Sequence, residues 1–244
     1  MAPKFSIVIP AYNESKRIVR SINKIRNYFK NKKVAYEIIA VNDGSNDNTL
    51  RILKDLAKEC KELKVLGDNI NRGKGYAVKT GILSSRGHNI LFTDADLSTP
   101  IEELDNLFQC IKDGYEVAIG SRNIDRSKVK LKQPFYRRFL GNLLRIYYNI
   151  IIFPQDPPSD SQCGFKLFTK KAAHLLFKKQ KIHKEMFDVE ILYLARKYGF
   201  KVKEMPVVWV NDPDSKINLV KCVTFGSVDL FKIRLYDLLG KYRN

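Results

Sequence analysis

Residues 4–45 read KFSIVIPAYNESKRIVRSINKIRNYFKNKKVAYEIIAVNDGS, and their periodicity decides the fold. Phe5 to Ile9 form an apolar, partly β-branched run stopped by Pro10. Ile18, Ile22, Ile25 and Phe29 then recur at helical spacing, and Tyr36 to Val41 make a second apolar run closed by Asn42, Asp43 and Gly44. Strand, helix, strand implies parallel pairing through a crossover helix. The pattern continues outward. DNTLRILKDLAKEC offers a helix with Leu53, Leu56, Ala57 and Cys60 on one side and Asp47 or Asn48 as its cap. ELKVLGD, NILFTDAD and YEVAIGSR read as further strands, with GYAVKTGILSS and IEELDNLFQCIKDG as the helices between them. The sequence therefore predicts an α/β fold, a doubly wound, mostly parallel sheet flanked by helices.

In such a sheet, ligands bind beyond the carboxyl ends of the strands. The residues expected at that edge are Tyr12, Asn13 and Glu14, then Asn42, Asp43 and Gly44, then Asp94 and Asp96, then Ser121 and Arg122. The second half differs in character. Residues 133–169 hold a basic cluster, an apolar stretch of helical length, a Pro-rich loop and a compact polar motif. MFDVEILYLARKYG is expected to be a helix and KVKEMPVVWV a strand; the tail from Ile217 is expected to form an amphipathic helix with a basic polar face.

The chain has 244 residues, 44% of them hydrophobic and 29% charged, which excludes disorder as the default and suits one sizeable domain. Its 44 Lys and Arg against 26 Asp and Glu leave a net charge of +18, a field that attracts phosphates, nucleic acid or an anionic membrane surface. Four scattered cysteines without a C-x-x-C pair suggest neither a zinc site nor a disulfide framework, and fit a reducing, cytosolic compartment. No apolar run is long enough for a signal peptide or a membrane span, so membrane contact is expected to be peripheral.

Asp94 and Asp96 close the fourth strand in TDADLSTP. In an extended segment, residues i and i+2 point to the same side, so both carboxylates can converge on one divalent ion, and oxygen-only ligation suits magnesium or manganese. Equally, they can favour the start of the next helix, with Ser98 or Thr99 as its cap and Pro100 at the first helical position. VNDGSNDNT supplies acids able to accept hydrogen bonds from ribose or a base, or an ordinary capped turn. NRGKGYA, which contains Lys74, lets backbone and cations approach phosphate, although it is neither G-x-x-x-x-G-K-[ST] nor G-x-G-x-x-G. Arg122, Arg137 and Arg138 suit a phosphate receptor or a solvated basic face. A non-enzymatic nucleic-acid-binding module is the reading from another class, motivated by charge and scattered aromatics; dispersed charge and the lack of a known binding motif count against it.

Taken together, SIVIPAYNES, VNDGSNDNT, NRGKGYAVKTG, TDADLSTP, GSR, SDSQCGFKLF and FDVEILYLA resemble the family 2 glycosyltransferases of GT-A fold, and among them the branch that transfers sugars to polyprenyl phosphates. The match runs from Lys4 to the tail. The resemblance implies a single GT-A domain over residues 1–244, with a nucleotide-sugar-binding half (1–123) and an acceptor- and membrane-facing half (124–244) ending in amphipathic helices. It implies that Pro10, Tyr12, Glu14, Asp43, Lys74 and Asp94, closed over by Ser215 and Lys216, bind the nucleotide sugar. Asp94 and Asp96 correspond to the D-x-D site for Mg2+ or Mn2+, and Arg122, Arg137, Arg138, Asp160 and Gln162 to the acceptor phosphate site. The implied catalytic set is Asp94, Asp96 and Arg122. The implied reaction is inverting transfer of glucose from UDP-glucose to dolichyl phosphate in protein N-glycosylation, with GDP-mannose as the alternative donor. The implied location is peripheral, on the cytosolic face of the endoplasmic reticulum. Three departures stand out. Ser98 occupies the place of a glutamine in mannose-transferring members, Asp212 or nothing matches their arginine after the W-V-x strand, and the given sequence starts directly at the first strand where eukaryotic members usually begin with a membrane-spanning helix, as a truncated chain or a soluble homologue would.

Overall fold

The computed structural model of the protein describes residues 2–125, 129–131, 146–210 and 219–243, with only the backbone described at 129–131 and 219–225. The first half follows the predicted alternation. It comprises β1 (Phe5–Ala11), α1 (Ile18–Lys32), β2 (Tyr36–Asp43), α2 (Thr49–Glu59), β3 (Leu63–Asp68), α3 (Lys74–Leu83), β4 (Asn89–Thr93), a 3₁₀ turn at Ile101–Glu103, α4 (Leu104–Lys112) and β5 (Val117–Ser121). Next come β6 (Val129–Leu131), helical residues 146–152 (α5), β7 (Phe165–Thr169), α6 (Lys170–Lys179), α7 (Phe187–Lys197), β8 (Val202–Pro206), β9 (Trp209–Val210) and α8 (Leu219–Leu238).

Seven strands form one sheet in the order β3-β2-β1-β4-β7-β5-β8, so strands from both halves of the chain share it. Alternate strand residues feed two cores. Val8, Ile39 and Val41 face α3, α6, α7 and α8, where Val78, Leu176, Leu194 and Ile233 are buried. Ile7, Ile9 and Ile38 face the other layer, with Ile22 and Phe29 of α1, Leu53 of α2 and Leu107 of α4. Burial on both faces is why these strands read as continuous apolar runs.

Two elements were not expected from the sequence. β7 lies antiparallel between β4 and β5, with Leu91 opposite Leu167 and Ile119 opposite Lys166, and α6 follows it directly. FKLFT conceals a strand because Lys166 interrupts its apolar run, while α6 starts on a Thr169 side chain that accepts from the Ala172 amide. KVKEMPVVWV was expected to be one strand and is two: Pro206 ends β8, having no N–H to continue a ladder, and β9 pairs instead with β6. The tail is helical as expected but differs in its faces. Leu230 and Ile233 are buried, while Val228, Phe231, Leu235 and Leu238 form a second apolar stripe on the exposed side.

Candidate active site at the carboxyl edge of the sheet

Beyond β4, Asp94 and Asp96 take up different partners. Asp94 Oδ1 pairs with Lys74 Nζ at 2.7 Å, and the Asp94 amide donates to the Gly164 carbonyl at 3.1 Å. Asp96 Oδ1 accepts from the Ser98 amide at 2.8 Å, closing a tight turn. The helix-start alternative does not hold: the 3₁₀ turn begins after Pro100 with no side-chain cap, so neither Ser98 nor Thr99 serves that role. Burial pushes the Asp96 carboxyl above the usual carboxylate range, and the neighbouring charge of Asp94 adds to it. Two neighbouring carboxylates at this edge suit a hard divalent cation. Among the described residues no third His, Cys, Asp or Glu completes a cluster. Such a site suits a magnesium-like ion, which takes one or two carboxylates and leaves positions for water and substrate phosphates.

Lys74 opens α3. Burial lowers the pKa of its ammonium, but Asp94, with Glu185 and Asp188 beyond it, outweighs burial and holds it raised and charged. The preceding turn is fixed by Asp43, whose Oδ1 accepts from the Arg72 amide at 2.8 Å and whose Oδ2 accepts from the Gly73 amide at 3.0 Å. Gly73 has φ +103°, and a Cβ there would meet the His183 carbonyl at 2.5 Å; only glycine sits in this turn without strain. Asp43, expected to face base and ribose, thus spends its carboxylate on the glycine-rich turn in this structure. Glu14 pairs with Arg17 and its amide donates to Thr49 Oγ1 at 2.8 Å, while Tyr12 is exposed at the mouth of the edge and Pro10 is half-buried.

On the other side of the edge, Arg122 follows β5. Its Nε donates to Asp160 Oδ2 at 2.6 Å, its Nη2 to Oδ1 at 2.7 Å, and its amide to Oδ2 at 3.0 Å. The guanidinium also lies over the Trp209 ring, 5.6 Å from its centre. Burial penalises both charges, yet the pairing dominates: Asp160 is held below its ordinary value and Arg122 above it. Asp160 and Arg122, two residues expected at the acceptor phosphate, are therefore brought together. Gln162 is exposed, its amide nitrogen 3.8 Å from Met186 Sδ. Arg137, Arg138, Asp212, Ser215 and Lys216 lie outside the described residues.

Three residues not singled out from the sequence belong to this edge. Gly164 packs against Asp94 so closely that a Cβ would fall 1.9 Å from Oδ2. Lys166, 1% exposed, donates to the Cys163 carbonyl at 2.6 Å and pairs with the buried Asp188 of α7. The available signal was a lysine inside an otherwise apolar run directly after a glycine.

Residues 6–177 match the family model described as glycosyl transferase family 2. A Trichomonas vaginalis protein named dolichyl-phosphate beta-glucosyltransferase ALG5C is 37% identical over 245 residues, covering 96% of this chain and 72% of its own. The Homo sapiens dolichyl-phosphate beta-glucosyltransferase is 31% identical, covering 98% of this chain and 78% of its own. Among solved structures, glucosyl-3-phosphoglycerate synthase from Mycobacterium tuberculosis, in complex with Mn2+, UDP and phosphoglyceric acid, superposes with a TM-score of 0.67 at 15% identity, over 99% of this chain and 79% of that one. The fold is thus that of the GT-A glycosyltransferases, and the nucleic-acid-module reading is set aside. The chain belongs to glycosyl transferase family 2 and, within it, to the group of its dolichyl-phosphate beta-glucosyltransferase relatives.

Proposed function

We propose that the protein transfers glucose from UDP-glucose to dolichyl phosphate, with inversion at the sugar C1, as a peripheral enzyme of the cytosolic face of the endoplasmic reticulum. One observation carries this reading furthest: the turn from Asp160 to Gly164 touches both Asp94 and the basic receptor. Asp160 holds Arg122, and the Gly164 carbonyl holds Asp94. Donor diphosphate and acceptor phosphate are both anions, and this edge offers each its own place.

Asp94 and Asp96 are the residues that would hold Mg2+ or Mn2+. When bound, such an ion neutralises charge on the departing diphosphate. The chain's own part is positional. Lys74 adds a fixed positive charge beside Asp94. Arg122, aligned by Asp160 and Trp209, would bind the acceptor phosphate through its guanidinium. A phosphate oxygen is already anionic near neutral pH, so the reaction needs no strong general base. Asp160, with both carboxylate oxygens engaged by Arg122, orients that cation rather than abstracting a proton.

Two exposed apolar rows support peripheral contact with an anionic membrane: Val228, Phe231, Leu235 and Leu238 on α8, and Ile146 and Ile150 on α5. They sit on a chain of net charge +18, suited to an anionic leaflet. No helix of the described residues is long and apolar enough to cross a membrane. For the donor, the names of the relatives and Ser98 in place of the mannosyl branch's glutamine favour glucose. The deciding assay supplies dolichyl phosphate in neutral or anionic vesicles with Mn2+ and labelled UDP-glucose or GDP-mannose. Labelled lipid is expected from UDP-glucose, faster on anionic vesicles; product from GDP-mannose alone would overturn the donor assignment.

A further inference from the structure

Lys166 is energetically out of place. It lies in β7 between β4 and β5, opposite Phe92 and Ile119, and is 1% exposed. Its partner Asp188, at the start of α7, is 3% exposed. An apolar pair of similar volume is often as stable as a buried ion pair, so general stability does not explain these residues. Their contacts do. Lys166 Nζ bonds the Cys163 carbonyl at 2.6 Å as well as Asp188, and lies 5.8 Å from the centre of the Phe92 ring, whose centre is 5.4 Å from Lys74 Nζ. The next carbonyl, that of Gly164, accepts the Asp94 amide, and the Asp94 carboxylate packs directly on the Gly164 Cα. Asp160, earlier in the turn, fixes Arg122.

We infer that Lys166, braced by Asp188, is a positioning residue for the acidic pair: it pins the 160–164 turn to α7 and thereby sets the place of Asp94. The inference rests on the reading of Asp94 and Asp96 as cation ligands. Lys166 touches neither Asp94 nor solvent, and acts through the Cys163–Gly164 backbone. Releasing it lets the turn move, and Asp94 moves with the turn. Residues that orient ligands from outside the coordination sphere typically change metal affinity by about 10- to 100-fold.

The test measures Mn2+ binding by electron paramagnetic resonance on the full chain with UDP present. The variants are Lys166→Met/Asp188→Leu, which removes both buried charges together, and Asp188→Asn, which keeps the bond to Cys163. Melting temperatures report folding. The double variant is expected to stay folded and to bind Mn2+ about 10-fold or more weakly, with a matching rise in the Mn2+ concentration that half-saturates transfer. Asp188→Asn is expected to lose several-fold. It supplies the readout by itself should the double variant fail to fold. Wild-type Mn2+ affinity in folded variants would overturn the inference and leave the metal reading standing. Absence of Mn2+ binding by the wild-type chain with UDP would overturn both.

Discussion

The two sides of the sheet build their parts of the site by opposite rules. From β3 to β4 every strand is parallel, and acids stand at the carboxyl ends: Asp43 as the last residue of β2, Asp94 and Asp96 after β4. On the other side β7 runs against β4 and β5, so the edge receives the residues that precede it, the Asp160–Gly164 turn. The first arrangement brings acids, the second the backbone and carboxylate that hold acid and arginine in place. The parallel strands bring the acidic pair, while the turn before β7 holds Asp94 and the arginine that follows β5.

The sharpest way to break this contrast is at the parallel side. Asp96→Asn keeps the shape and the Oδ1 acceptor of the Ser98 turn but removes a charge. Transfer from UDP-glucose is expected to fall by at least about 100-fold, as for the loss of a preorganised group at developing charge. Melting temperature without ligand should change little, because burial and Asp94 already disfavour the ionised form. A loss of folding equal to the loss of transfer would return Asp96 to a purely structural part.

The antiparallel side is probed by Gly164→Ala. The new methyl would stand 1.9 Å from Asp94 Oδ2 and 2.8 Å from Oδ1, so the carboxylate must swing away. It is a side-chain end that has to yield, so the fold should survive. Transfer and Mn2+ affinity are expected to fall by about 10- to 100-fold. Unchanged Mn2+ binding, read by the same resonance measurement, would show that Asp94 does not depend on this turn.

The difference between the two sides also decides what could be read from the chain alone. Apolar runs buried on both faces, interrupted by helical spacings, announced β1 to β5 and α1 to α4, and the rule of carboxyl-terminal edges led directly to Asp43, Asp94, Asp96 and Arg122. The same rule has nothing to say about an antiparallel insertion. With Lys166 inside it, FKLFT lost its strand signature, and the roles of Gly164 and Asp188 exist only once β7 sits beside β4. Asp160 was legible as a site residue through resemblance, but its grip on Arg122 spans 38 positions that no periodicity links. Pairings of that length follow from topology, which local pattern does not encode.

The smallest expected effect on transfer belongs to Asp160→Asn, and it separates alignment from chemistry. Asparagine still accepts from Arg122 through one oxygen but loses the charge and replaces the second acceptor with an NH2 donor, so the bidentate pairing is lost. The KM for dolichyl phosphate should rise by about 5- to 10-fold, corresponding to the roughly 1–1.4 kcal/mol that distinguishes a charged from a neutral hydrogen-bond partner. The KM for UDP-glucose should hold. Stability carries a second signature whose sign follows from the pairing. Asp160 is held below its ordinary pKa by Arg122 against the opposing effect of burial. Its contribution is therefore present above the unfolded value of about 3.9 and is lost as pH falls through the lower folded value. The gap in melting temperature between wild type and variant should be full at pH 6 and narrow steadily below about pH 4. A gap that stays constant into acid would mean that Asp160 holds Arg122 by packing alone, and the antiparallel side would then align the acceptor cation without charge.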